Sequence, residues 1–172
     1  MIQITKPAPE FKAKAYHNGK FIELKLSDFK GKWVVLVFYP RDFTFICPTE
    51  LLGFAKAQSD FTKLNAVIIG ASTDSEHSHK AWISRDLPDV TYPVLADTSH
   101  SISRDYGILN DNGASERGTF IIDPEGILKY LVISASSVGR SVTETLRVLK
   151  ALQTGDLCPM EWNTGQKTLG KA

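Results

Sequence analysis

The sequence predicts an α/β sandwich, and three observations carry that prediction. Strand-like and helix-like pieces alternate along the chain, the pattern of helices layered on a sheet. Residues 33–40, WVVLVFYP, form a continuous β-branched and aromatic run suited to a strand buried on both faces. Directly after it, Leu51, Phe54, Ala57, Phe61 and Leu64 recur at helical spacing, so a helix over 49–64 follows that strand closely.

At the N-terminus, FKAKAY and FIELKL flank His17-Asn18-Gly19-Lys20. Both residues of the Asn-Gly step tolerate positive φ, which predicts an antiparallel hairpin. AVIIGAS, residues 66–72, reads as a second buried strand. Asp74 and Ser75 can cap a short helix carrying His79 and Trp82, and Pro88 prevents its continuation. Another short helix ends at Gly107. GTFIIDPEGILKYLVIS reads as two antiparallel strands joined at Asp123-Pro124-Glu125-Gly126, where Pro fixes φ and Gly relieves crowding. Ser141-x-x-Glu144 offers a capping box for a helix with Val142, Leu146, Leu149 and Leu152 on one face, and Gly155 is placed to end it. The remainder, DLCPMEWNTGQKTLGKA, has little apolar periodicity and reads as a mobile tail. The expected organisation is a domain over 1–155 and a C-terminal tail over 156–172.

A chain of 172 residues buries about 70% of the surface its unfolded form exposes, so no disulfide staple is needed. Twenty basic and nineteen acidic side chains are interleaved and give a formal charge of +1, which argues against nucleic-acid and membrane partners. The N-terminus lacks the cationic start and apolar run of a secretory signal, and no segment approaches the ~20 apolar residues of a membrane span. A cytoplasmic location is the default expectation. The two cysteines lie outside any Cys-x-x-Cys or zinc-ligand spacing, and in a reducing compartment their interest is reactivity. His77-x-His79 lacks the helical i,i+4 spacing of a metal pair, so no metal is called. No phosphate loop, G-x-G-x-x-G or G-x-S-x-G elbow is present, so no cofactor is called either.

The chemistry concentrates between the 33–40 strand and its helix, at Pro40-Arg41-Asp42-Phe43-Thr44-Phe45-Ile46-Cys47-Pro48-Thr49-Glu50. Loops at the carboxyl ends of strands are where α/β proteins keep their sites. Pro48 is tolerated only in a first helical turn, so Cys47 must sit at or next to the helix start, where unpaired amides favour a thiolate. Glu50 opposes a second anion one turn away. A reactive thiolate here therefore needs a cation from another segment, expected to be an arginine. By themselves these residues leave alternatives open. Cys47 can be a small apolar residue in the core, and Thr44 can be a helix cap or a hydroxyl beside the sulfur.

Pro40-x-x-x-Thr44-x-x-Cys47, continued as FTFICPTE, closely resembles the active-site motif of peroxiredoxins. The resemblance extends through Thr73-Asp74, His79-Lys80-Ala81-Trp82, Leu95-Ala96-Asp97, Arg117 to Gly126, Val138-Gly139-Arg140-Ser141 and Cys158-Pro159-x-x-Trp162. These blocks cover nearly the whole chain and are similar to the alkyl hydroperoxide reductase C and thiol-specific antioxidant branch, the typical two-cysteine peroxiredoxins. The resemblance implies a thioredoxin-like fold with an N-terminal β-hairpin extension. It also implies a thiol-dependent peroxidase acting on hydrogen peroxide and organic hydroperoxides. By position, Cys47 matches the peroxidatic cysteine, Pro40 the proline that shields it, Thr44 the hydroxyl that bonds the peroxide and Arg117 the activating arginine. Glu50 and Arg140 match a carboxylate and an arginine that hold Arg117, and Trp82 matches a tryptophan packed near the site; His79 is read simply as core.

Cys158 matches the resolving cysteine, which implies an intersubunit disulfide in a homodimer. Closure of five dimers into a ring stays open. So does the choice between a thioredoxin-type and a flavoprotein disulfide reductase as the source of electrons. A thiol-disulfide oxidoreductase would carry a second cysteine where Glu50 stands, which weighs against that function. A non-enzymatic holdase chaperone built from higher oligomers is distinguished by whether the purified protein consumes peroxide.

Overall fold

The structure is a computed structural model describing residues 2–171, and it falls into two units, divided between Arg140 and Ser141. In the first unit the Asn-Gly step forms as predicted: β1 (Lys12–His17) and β2 (Lys20–Lys25) are antiparallel, with Asn18 and Gly19 both at positive φ. A 3-10 turn (Leu26–Phe29) leads to β3 (Trp33–Phe38). After β3 come α1 (Cys47–Lys56), α2 (Gln58–Lys63), β4 (Ala66–Ser72), α3 (Glu76–Asp86), β5 (Val94–Ala96), α4 (Ser101–Asp105), β6 (Arg117–Ile122) and β7 (Leu128–Ser134).

The seven strands make one sheet in the order β2-β1-β5-β4-β3-β6-β7. β3 and β5 lie parallel to β4 on either side, while β1, β6 and their outer neighbours are antiparallel. Parallel neighbours require crossovers, and α1 with α2 supplies one and α3 the other. This is the mixed α/β, thioredoxin-like architecture with an N-terminal hairpin extension. β3 is central, as its composition predicts: Val34 to Phe38 are all buried, and the alternation of a strand sends them to both faces. Val34, Leu36 and Phe38 enter one core with Ile69, Ile122 and Leu128. There the Phe38, Tyr106 and Phe120 rings meet with centroids 4.9 to 5.7 Å apart, mutually tilted or edge-on.

Two elements differ from the sequence expectation. The single helix over 49–64 begins earlier, at Cys47, and breaks at Ala57, whose ψ of 0° ends α1 and starts α2. The Phe54 and Phe61 rings stay 6.0 Å apart across the break, so the apolar spacing reads as one helix. β5, too short at three residues to show periodicity, is the strand that joins the hairpin to the parallel core through Ala15–Leu95 and Ala71–Leu95 pairing.

The second unit holds α5 (Val142–Thr154), whose first turn is capped by Ser141 Oγ accepting from Glu144 N at 3.1 Å. Gly155 closes the helix at φ 65°, a conformation that favours glycine. Beyond it, among the described residues, lies no helix or strand, and hydrogen bonds hold the stretch. Leu157 N donates to Gly170 O and Leu169 N donates to Leu157 O, both at 2.8 Å. Trp162 Nε1 donates to Gln166 O and Arg147 Nη1 to Trp162 O, each at 3.0 Å. Backbone pairing at the two ends thus ties 157–170 into a loop. Among the described residues no helix is long and apolar enough to cross a membrane.

Candidate active site

Residues 39–46 run from the carboxyl end of β3 to α1, whose first residue is Cys47 with Pro48 beside it. Ile46 occupies the capping position, and no side chain caps the helix. Thr44 is therefore not the cap: its hydroxyl donates to Arg41 O at 2.9 Å and closes a turn within the loop. Pro48 has no N–H to give, and Thr49 gives its own to Ile46 O at 3.0 Å. The helix start thus offers few amides to the sulfur.

A side chain from another segment does reach it: Arg117 Nη1 lies 3.5 Å from Cys47 Sγ. The sheet register places it. β6 runs antiparallel to β3 with Thr119 opposite Val37, so Arg117 projects just past the end of β3, where the Cys47 loop begins. The same Nη1 donates to Glu50 Oε2 at 2.8 Å, and Nε donates to Ser136 O at 2.8 Å. Arg140 reaches the same carboxylate from the loop after β7. Its backbone N and Nε each donate to Glu50 Oε1 at 2.8 Å, and Nη2 donates to Oε2 at 2.9 Å. Arg140 Nη1 also donates to Gly118 O at 2.7 Å and Thr119 Oγ1 at 3.0 Å.

The side chains of Glu50, Arg117 and Arg140 are each 3–4% exposed, and Cys47 is 0% exposed. Two guanidiniums and one carboxylate leave this enclosed cluster with one surplus positive charge. A thiolate at Cys47 neutralises it, and a neutral thiol does not. Burial pushes the Glu50 carboxyl up, but the hydrogen bonds and charge of Arg140, with the charge of Arg117, outweigh it and hold Glu50 below the usual carboxylate range. Glu50 therefore stays ionised and fixes both arginines, which removes the conflict its sequence position posed.

A buried cysteine against an arginine–carboxylate–arginine cluster, at the carboxyl end of a central strand, is the setting in which the comparisons with known proteins apply. The profile of the AhpC/TSA family matches residues 4–131. The chain belongs to the AhpC/TSA family. Peroxiredoxin tpx1 of Schizosaccharomyces pombe is 51% identical to it over 98% of this chain and 93% of its own length. Peroxiredoxin prdx-2 of Caenorhabditis elegans is 49% identical over 96% and 88%. Among solved structures, the reduced 2-Cys peroxiredoxin of Plasmodium vivax superposes with a TM-score of 0.92 at 39% identity, covering 96% of this chain and 91% of its own. AhpC of Enterococcus faecalis follows it with 0.88 and 35% over 92% and 100%. This AhpC/TSA protein is accordingly a thiol-dependent peroxidase, an oxidoreductase.

Around Cys47 the structure of this AhpC/TSA protein gathers Glu50, Arg117 and Arg140, with Pro40 half-buried and Thr44 in the preceding loop. Trp82 is buried beneath that loop, its ring 6.1 Å from Tyr39 and 5.8 Å from Phe43. Cys158 belongs to the second unit, is half-buried, and like Cys47 is a free thiol. Asp42 went unread in the sequence. It sits inside the Pro40-to-Cys47 spacing and anchors the loop from below. Its carboxylate accepts from Tyr39 Oη at 2.8 Å and Ser78 Oγ at 2.7 Å and lies 2.9 Å from His79 Nδ1, while its backbone N donates to Asp74 Oδ2 at 2.7 Å. His79 is fully buried, with its Nε2 3.0 Å from Leu95 O, and serves this scaffold as a core residue. A lone Asp in a loop carries no periodic signal, and only its position within the motif could have drawn attention to it. Among the described residues, no three His, Cys, Asp or Glu side chains gather as metal ligands.

Proposed function

We propose that Cys47 is the peroxidatic nucleophile and Cys158 the resolving thiol of a cytoplasmic, homodimeric two-cysteine peroxidase. The observation that carries the reading is the 3.5 Å approach of Arg117 Nη1 to Cys47 Sγ in a buried cluster with one uncompensated positive charge. In the proposed cycle the Cys47 thiolate attacks the terminal oxygen of a hydroperoxide. An S–O bond forms, the O–O bond breaks, and the departing oxygen leaves as water or alcohol on taking a proton. Arg117 disperses negative charge shared between sulfur and oxygen, and the Thr44 oxygen, whose proton is committed to Arg41 O, accepts from the peroxide to align it. Pro40 shields the sulfur, and Trp82 supports the loop that carries it.

The resulting sulfenic acid condenses with the Cys158 thiol of a second copy, forming a disulfide and releasing water. A dithiol protein, thioredoxin or a flavoprotein reductase, returns both sulfurs to thiols and is itself oxidised to a disulfide. Because Cys47 is fully buried, this exchange needs the first turn of α1 to open, a local event well below global unfolding in cost.

Replacing Arg117 by Ala lowers the second-order rate of Cys47 oxidation by about a hundredfold or more, the scale for losing one preorganised donor. Stopped-flow oxidation of the single-turnover enzyme measures it, and a rate within a factor of about three of wild type contradicts the role of Arg117. Cys158→Ser consumes one equivalent of peroxide but does not turn over with a thioredoxin-type donor. Oxidised wild type runs as a covalent dimer on a non-reducing gel, whereas a monomeric oxidised band places resolution within one chain or with an external thiol.

A further inference from the structure

To the backbone pairing that closes the loop carrying Cys158, one carboxylate adds a side-chain tie between its two ends. Asp156 precedes it, directly after the Gly155 helix cap, and its backbone N donates to Thr154 Oγ1 at 3.1 Å. Its Oδ2 accepts from Thr168 Oγ1 at 2.9 Å, and its Oδ1 pairs with Lys171 Nζ at 2.9 Å. Lys171 Nζ also donates to Gly155 O at 3.3 Å, adding positive charge where the carbonyls of α5 end. These contacts bring residues 168–171 back onto 155–157, and the Leu157 and Leu169 backbone pairing lies between them. Inside the closed loop the Cys158 sulfur is turned toward α5, 3.7 Å from Ala151 O and 3.4 Å from Thr154 Oγ1.

We infer that Asp156 is the clasp of this loop, a positioning residue that keeps the Cys158 thiol turned onto α5, and that clasp opening limits how fast Cys158 reaches another sulfur. The inference rests on the reading of Cys158 as the resolving thiol, but the clasp itself is an independent property of the loop. Three features make it an electrostatic fastening rather than a packed one. The Lys171 side chain is 75% exposed, it meets Asp156 as an ion pair at 2.9 Å, and a solvent-facing ion pair weakens as salt rises. Lys171 first, and then Thr168, hold the Asp156 carboxyl below its ordinary range, as expected if both are bound to the charged form. A thiol inside such a loop is guarded in the resting enzyme yet released by a small, reversible rearrangement.

The test is site-resolved labelling of the reduced, full-length protein with iodoacetamide, read at Cys158 by peptide mass spectrometry. Asp156→Ala and Lys171→Met are each expected to raise Cys158 labelling about three- to fivefold, and Asp156→Glu to return it toward wild type. About 0.5 M salt raises labelling in wild type and leaves Asp156→Ala unchanged. Wild-type labelling in both Asp156→Ala and Lys171→Met, or a salt response that survives in Asp156→Ala, overturns the clasp. Circular dichroism melts of each variant confirm that the fold is retained, and Lys171→Met covers the case in which Asp156→Ala is destabilised. Failure of the resolving role shows separately: no variant, wild type included, then gives the covalent dimer after peroxide, while labelling still follows the clasp.

Discussion

Cys47→Ser is expected to abolish peroxide turnover while leaving the protein folded. Serine keeps the size and the buried position of Cys47 but stays a neutral hydroxyl near neutral pH, so it offers neither the nucleophile nor the charge that balances Glu50, Arg117 and Arg140. The fold has little reason to change. Cys47 contributes one small side chain to the start of α1, and a buried hydroxyl within reach of the Arg117 donor costs about 1 kcal/mol or less. Peroxide consumption with a dithiol donor and a thermal melt check the two halves together. Retained turnover with an intact melt would remove Cys47 from the chemistry altogether.

The second large effect falls on stability. Glu50→Ala is expected to destabilise the protein by about 3–5 kcal/mol, the usual cost of stripping the partner from buried charges. Glu50 receives four donors, one from Arg117 and three from Arg140, and it is the carboxylate between them. Without it the two enclosed guanidiniums keep only a Cys47 thiolate as counter-charge. Activity falls with stability, since Arg117 loses the anchor that aims Nη1 at the sulfur. Urea denaturation of both proteins gives the difference, and a change under about 1 kcal/mol would mean the cluster relaxes into water. Acid acts on the same group. Glu50 is held below its ordinary range, so its contribution is complete above that range and is lost as pH falls through the depressed value.

How much of this was legible in the sequence varied by element, for physical reasons. β3 announced itself because a strand covered on both faces must be apolar at every position, and the first hairpin because Asn-Gly fits a turn few other pairs fit. β5 did not, because three residues are too few for a period. The break at Ala57 was hidden by apolar residues that stay on one face through it. Within the site, Pro48 fixed the start of α1 and Glu50 posed an electrostatic question. The answer, Arg117 and Arg140, comes from segments far along the chain, and only the resemblance to a family singled those two out among the basic residues. Asp42 and the closed Cys158 loop were invisible. Their partners, Ser78 and His79 in one case and Thr168 and Lys171 in the other, are brought together by the fold and not by local spacing.

The central claim is that Cys47, held against Arg117, is the atom that takes oxygen from the peroxide. Dimedone trapping tests it most directly: Cys158→Ser protein is treated with one equivalent of hydrogen peroxide, and the sulfenic acid adduct is located by peptide mass spectrometry. The expected result is an adduct on Cys47 that matches the peroxide consumed and appears far more slowly when Arg117 is also replaced by Ala. Peroxide consumed with Cys47 unlabelled, or an adduct that forms equally fast without Arg117, would contradict the account.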